Sequence, residues 1–179
     1  MPDAIYSGLI TRQVPEDFRS NTESSGKAEP WSGRPLAAPL NDGGYGLGLV
    51  ARMSSQGILL GYFFAPKWAQ VPSLPEVKSL SPNDSVLIGR FSSLGLKQGA
   101  WEVLGSVLGW VPEEWHLPVF ARTELITGRS IRVHYDDSDP SWRLGEETAP
   151  GGDNEGKPED GLMGAGYVEN VLMGLLAQP

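Results

Sequence analysis

Apolar positions along the chain fall into short clusters punctuated by Gly, Pro, Asn and Asp, the pattern of strands joined by tight turns. From Leu36 to Phe64, two short apolar segments flank Asn41-Asp42-Gly43-Gly44, and a break at Ser54-Ser55-Gln56-Gly57 precedes a third. Asp-Gly and Gly-Gly pairs supply the positive φ of tight hairpin turns, so the stretch predicts a three-stranded antiparallel meander. Within its middle strand Tyr45, Leu47 and Leu49 alternate with Gly44, Gly46 and Gly48. One face is bulky and the other bare, which lets a second backbone or a bend come close. Short strands are expected again at Val86–Phe91, Trp101–Leu104 and Val119–Arg122. Ile131–Tyr135 alternates cleanly, with Ile131, Val133 and Tyr135 on one face and Arg132 and His134 on the other. The last element changes period. Tyr167, Val168, Val171, Leu172, Leu175 and Leu176 recur at helical spacing and predict an amphipathic C-terminal helix packed on the sheet.

Many strands followed by one helix make the expected fold α+β and β-rich: a strongly bent antiparallel sheet or small barrel with a C-terminal amphipathic helix. Residues 67–84 carry Pro72, Pro75 and Pro82 and read as an extended connection. Residues 1–30 have weak periodicity and read as a loosely ordered arm, which leaves residues 31–179 as one domain.

Composition narrows the class. A chain of 179 residues with 40% apolar and 20% charged side chains can bury a sizeable core. The 23 Gly and 15 Pro favour turns and short strands. Without cysteine there is no disulfide framework, thiol nucleophile or thiolate metal site. The first residues lack a basic start followed by an apolar core, and no run approaches the about 18 apolar residues of a membrane span. A cytoplasmic location is the expectation.

Charge is concentrated. Between Asp136 and Asp160 nine acids face two bases, which accounts for −7 of the formal −8. Direct nucleic-acid binding calls for a basic face and is not expected. Such a segment at about 136–160 is either a solvated acidic loop or a steering surface for a basic partner. Asp136, Asp137, Asp139, Glu146 and Glu147 are its candidate contact residues. Six Trp punctuate the chain. Trp101, Trp110 and Trp115 suit a core, whereas Trp68 and Trp142 stand in polar, Pro-bearing sequence and are candidate interface anchors.

Catalytic motifs fail on inspection. Gly46-Leu47-Gly48-Leu49-Val50-Ala51 matches a dinucleotide fingerprint, but the next turn arrives too soon for the helix that must receive the pyrophosphate. Asp136-Asp137-Ser138-Asp139 hints at calcium, yet Pro140 and Ser141 stand where an EF-hand needs a ligand and a glycine. His116 and His134 lack the spacing of zinc ligands. His134 beside Asp136 or Asp137 could form a base–orienter pair, although no nucleophile accompanies it. No catalytic residue, cofactor or metal is expected.

A family resemblance runs through the chain in order: "PLNDGGYGLGLV", "GILLGYFF", "IGRFSSLGLKQGAWEVLG", "EEWHLPVFAR", "VHYDDSDP" and "DGLMGAGYVENVLMGLL". In this succession the chain resembles the immunity protein 26 family of bacterial polymorphic toxin systems, with Leu49 where a basic residue is expected. Residues before Trp31 lie outside it. The resemblance implies a non-enzymatic protein that binds and neutralises a cognate toxin domain, a basic nuclease type in this reading, by stoichiometric protein–protein contact. The residues alone leave two alternatives open: a β-rich small-ligand or carbohydrate-binding module, and a hydrolase with a site near His134. Oligomeric state is not readable.

Overall fold

The computed structural model describes residues 31–77, 79–149 and 154–177. The expected arm at 1–30, and Asp153 of the acidic segment, lie outside the described residues. Strands β1 (Arg34–Pro39), β2 (Tyr45–Met53), β3 (Ile58–Trp68) and β4 (Ser85–Ser92) form an antiparallel meander, one strand longer than the three expected. The first hairpin closes where the Gly-Gly pair stands. Gly43 and Gly44 take φ of 89° and 78°, and the Leu40 N–H donates to the Gly44 carbonyl at 3.0 Å. After the short helix α1 (Leu94–Lys97), the two-residue strand β5 (Glu102–Val103) pairs with β1. At the far side β9 (Leu162–Met163) lies parallel to β4. The result is an open six-stranded mixed sheet in the order β5-β1-β2-β3-β4-β9, not a closed barrel. Strands β6 (Phe120–Thr123), β7 (Ser130–Asp136) and β8 (Asp139–Thr148) form a separate three-stranded antiparallel sheet. The segment expected as an acidic loop is thus, over Asp139–Thr148, a ten-residue strand.

Three layers result, because the large sheet is apolar on both faces. Leu36, Ala38, Val50, Leu59, Phe63 and Phe91 turn one face toward Trp101 and the C-terminal helix α2 (Ala165–Leu176). Leu47, Leu49, Ala51, Leu60, Tyr62 and Phe64 turn the other toward Trp115, Phe120, Ile131 and Val133 of the small sheet and its approach. The bare side of β2 faces the helix. A Cβ on Gly46 would stand 3.0 Å from a Leu172 methyl, and one on Gly48 would stand 2.7 Å from the Phe63 ring. These glycines make room for side chains of other elements, where the alternation led to the expectation of a close second backbone or a bend.

Helix α2 docks along a narrower stripe than the sequence suggests. Val168 and Leu172 are fully buried and Leu176 packs beside them, whereas Tyr167 and Leu175 are 52% and 43% exposed. Residues four apart form one line down a helix, and the sheet face takes only that line. Trp101 anchors the helix from below, its indole N–H donating to Glu169 Oε1 at 2.7 Å.

Candidate partner-binding surface

The β7–β8 hairpin turns sharply, with Asp136 opposite Asp139 in the ladder. Each aspartate is used by its own turn. Asp136 accepts the Ser138 N–H at 2.9 Å as well as its hydroxyl, which holds the Asp136 carboxyl below its ordinary value. Asp139 accepts from the Ser141 N–H at 2.8 Å and its hydroxyl at 2.6 Å. Such local acceptor bonds are what make Asp and Ser good turn formers.

Asp137, at the tip, is a structural hub. Its Oδ1 accepts the Leu117 N–H at 2.7 Å and its Oδ2 accepts from the Arg52 guanidinium at 3.2 Å. Arg52, buried at the end of β2, also donates to the Asp137 carbonyl at 2.8 Å and to the Pro112 carbonyl at 3.0 Å. One guanidinium therefore ties the large sheet, the turn at Pro112–Glu114 and the hairpin tip together. Burial would raise the Asp137 carboxyl, but the Leu117 N–H and Arg52 outweigh it and hold it below the usual carboxylate range. Beneath this corner Tyr62 donates its hydroxyl to the His116 carbonyl.

A second cluster holds the hairpin just behind its tip, at Tyr135 and Pro140. Asp160 accepts from Arg90 at 3.2 Å, from Arg122 at 3.2 Å and from the Tyr135 hydroxyl at 2.8 Å. Arg90 lies over the Tyr135 ring, 3.7 Å from its centroid, and donates to the Pro140 carbonyl at 3.1 Å. Arg122 continues outward to Glu146 at 3.0 Å, and Glu146 also pairs with Arg143. Glu147 pairs with His134 at 3.4 Å and with Arg132 at 4.0 Å. The charge of the acidic stretch is thus partly compensated by Arg52, Arg90, Arg122 and Arg132, which the fold brings in from other strands.

Burial pushes the phenols of Tyr62 and Tyr135 up to about 12 from an ordinary value of 10.0, reinforced for Tyr135 by its bond to Asp160. The folded state prefers both phenols neutral. Their contribution is complete below about pH 10 and is lost as pH rises toward 12. Alkaline titration followed by ultraviolet absorbance should show these two tyrosines ionising only as the fold is lost. Ionisation near pH 10 with tertiary structure intact would mean that both phenols are open to water.

The predicted contact residues separate into two groups. Trp142 is 64% exposed on β8, as an interface anchor must be. Trp68 is half-buried, packed against the second core cluster, and its indole N–H finds no acceptor among the described residues. Asp136 and Asp139 are half-buried in their own turns and Glu147 is exposed, while Asp137, itself exposed, and Glu146 brace the hairpin. His134 meets Glu147, and Asp136 is turned onto Ser138, so the base–orienter pair between His134 and Asp136 does not form. No group of three or more His, Cys, Asp or Glu among the described residues is placed to hold a metal ion.

Other exposed features carried no sequence signal. Leu144 on β8 is 61% exposed, and Leu125 and Ile126 at the β6–β7 turn are almost wholly so. That turn is fixed by Glu124, which accepts from Thr127 and from Arg129 at 3.2 Å. Because Ile131 pairs with Thr148, it lies at the same end of the small sheet as the last residues of β8. Glu113 and Glu114, both exposed, follow Pro112, whose carbonyl accepts from Arg52.

Comparison with known proteins adds one finding. The family model described as Immunity protein 26 matches residues 32–131, more than half of the chain, covering β1 to β6 and the first residues of β7. No curated protein and no solved structure matches. The matched span contains the whole four-stranded meander and both core faces that it presents, and the chain belongs to the Immunity protein 26 family.

Proposed function

We propose that the chain neutralises a cognate polymorphic toxin domain, basic and of nuclease type, by stoichiometric binding in the cytoplasm and without turnover. The observation that carries this reading is an exposed aromatic on an acidic hairpin in a member of an immunity-protein family. Trp142 is the anchor. Asp136, Asp139 and Glu147 steer the partner, while Asp137 and Glu146 keep the hairpin in shape. An acidic surface competes with phosphates for the basic groove that a nuclease must have, and it raises the association rate.

The test mixes the chain with the C-terminal domain of a polymorphic toxin from the same genome. Inhibition should saturate at one chain per toxin. Combined Asp136→Asn, Asp139→Asn and Glu147→Gln should lower the association rate about tenfold at low ionic strength and much less near molar salt, where screening is short-ranged. Asn keeps the acceptor that each turn uses, so the hairpin survives. Trp142→Ala should leave association nearly unchanged and raise the dissociation rate about thirtyfold, as for a buried interface aromatic. Wild-type association by the triple variant in low salt would reduce the acidic hairpin to a solvated surface.

A further inference from the structure

Sheet edges in this protein are treated unequally. The large sheet ends in β5 and β9, two residues each, too short to template another strand. The outer edge of β6 is covered by residues 158–160: the Ala121 N–H donates to the Pro158 carbonyl at 2.9 Å, and the Asp160 N–H to the Ala121 carbonyl at 2.7 Å. The remaining edge is β8, ten residues long. Among the described residues it pairs with β7 alone, and every residue from Trp142 to Thr148 is exposed.

Register shows which backbone groups that edge offers. The Ala149 N–H donates to the Ser130 carbonyl at 2.8 Å, and the ladder pairs Ile131 with Thr148, Arg132 with Glu147, Val133 with Glu146 and His134 with Gly145. Hydrogen-bonded pairs alternate in an antiparallel ladder. Glu147 and Gly145 therefore turn their amides inward to β7, and Glu146 and Thr148 turn theirs outward.

We propose that an extended, basic segment of the toxin domain adds to this edge as a fourth strand, antiparallel or parallel to β8. The inference rests on the toxin-binding reading above and specifies its contact mode. Main-chain bonds to the outward groups of Glu146 and Thr148 supply affinity, and Trp142, Leu144 and Glu147 select the incoming side chains. Charge chooses the occupant. A second copy would bring together two chains of net charge −8, whereas a basic segment is attracted.

Proline at residue 148 removes the outward amide and leaves the β7 ladder whole, because edge strands accept Pro where the N–H faces away. With the toxin's C-terminal domain as probe, Thr148→Pro should raise Kd about ten- to a hundredfold, and Thr148→Ala should change it by less than about twofold. Amide exchange at Glu146 and Thr148 of the wild-type chain should slow in the complex, a readout that holds even if the proline variant folds poorly. A wild-type chain that does not bind the toxin domain sinks the function itself. Tight wild-type binding with an indifferent Thr148→Pro and unprotected amides sinks only the added strand. A dimer seen by sedimentation and abolished by Thr148→Pro would assign the edge to a second copy and overturn the toxin segment as its occupant.

Discussion

Leu172→Asp is expected to be the most damaging single change to the fold, at about 5 kcal/mol or more. Leu172 is fully buried between α2 and the large sheet, and its methyl fills the space that Gly46 leaves open. Truncating a buried leucine costs about 2–5 kcal/mol, and an unpaired carboxylate in the same place adds its desolvation. A loss of this size is comparable to the whole stability of an ordinary domain, about 5–15 kcal/mol. Leu172→Ala should therefore be made beside it, with Tm lowered by about 5–15 °C. Leu175→Asp, one turn on and 43% exposed, should stay within about 0.5 kcal/mol. Equal effects at residues 172 and 175 in thermal unfolding would mean that the helix is docked in a different rotation.

Asp160→Ala should cost about 3–5 kcal/mol, more than any other change among the ion pairs. Both partners of the Arg90–Asp160 pair are almost completely buried, with side chains 9% and 8% exposed. Removing the carboxylate leaves the Arg90 guanidinium in a low-dielectric site with, among the described residues, the Pro140 carbonyl and aromatic faces around it. Tyr135 and Arg122 lose an acceptor at the same time. The main-chain bond from residue 160 to the Ala121 carbonyl survives in the variant, so the loss is that of the carboxylate alone. Asp137→Ala, at a site with the carboxylate 52% exposed, should cost about 1 kcal/mol. Chemical denaturation of the two variants side by side decides the point. An Asp160→Ala chain as stable as wild type would show that water reaches Arg90.

The meander was legible because each cue acts locally. The Gly43-Gly44 turn needs positive φ, and the alternation from Tyr45 to Leu49 assigns faces without knowledge of the partner. Alternation at Ile131, Val133 and Tyr135 marked β7 for the same reason. β8 escaped, since the sequence from Asp139 to Thr148 meets solvent along most of its length, and a strand announces itself only where one face is buried. The electrostatics escaped for a different reason. Nine acids against two bases is a count along the chain, whereas Arg52, Arg90, Arg122 and Arg132 arrive from four other strand positions. Trp142 could be singled out from its polar surroundings. Trp68 had similar surroundings, yet the end of β3 carries it onto the second core cluster. The helix was visible in its period, but which of Leu175 and Leu176 meets the sheet depends on a rotation that spacing alone does not specify.

The bracing of the hairpin has an evolutionary consequence. Its attachment to the body runs through Arg52 and Asp137 at the tip and through Arg90 and Asp160 just behind it. Residues 142, 144 and 147 take no part in either anchorage. Substitution there should leave folding almost untouched, so under the proposed toxin-binding role these positions can drift with a changed adversary while the scaffold stays put. Under the proposed binding mode, the strand positions that would select a partner are distinct from those that anchor the hairpin, and a lineage can retune the first without re-solving the second.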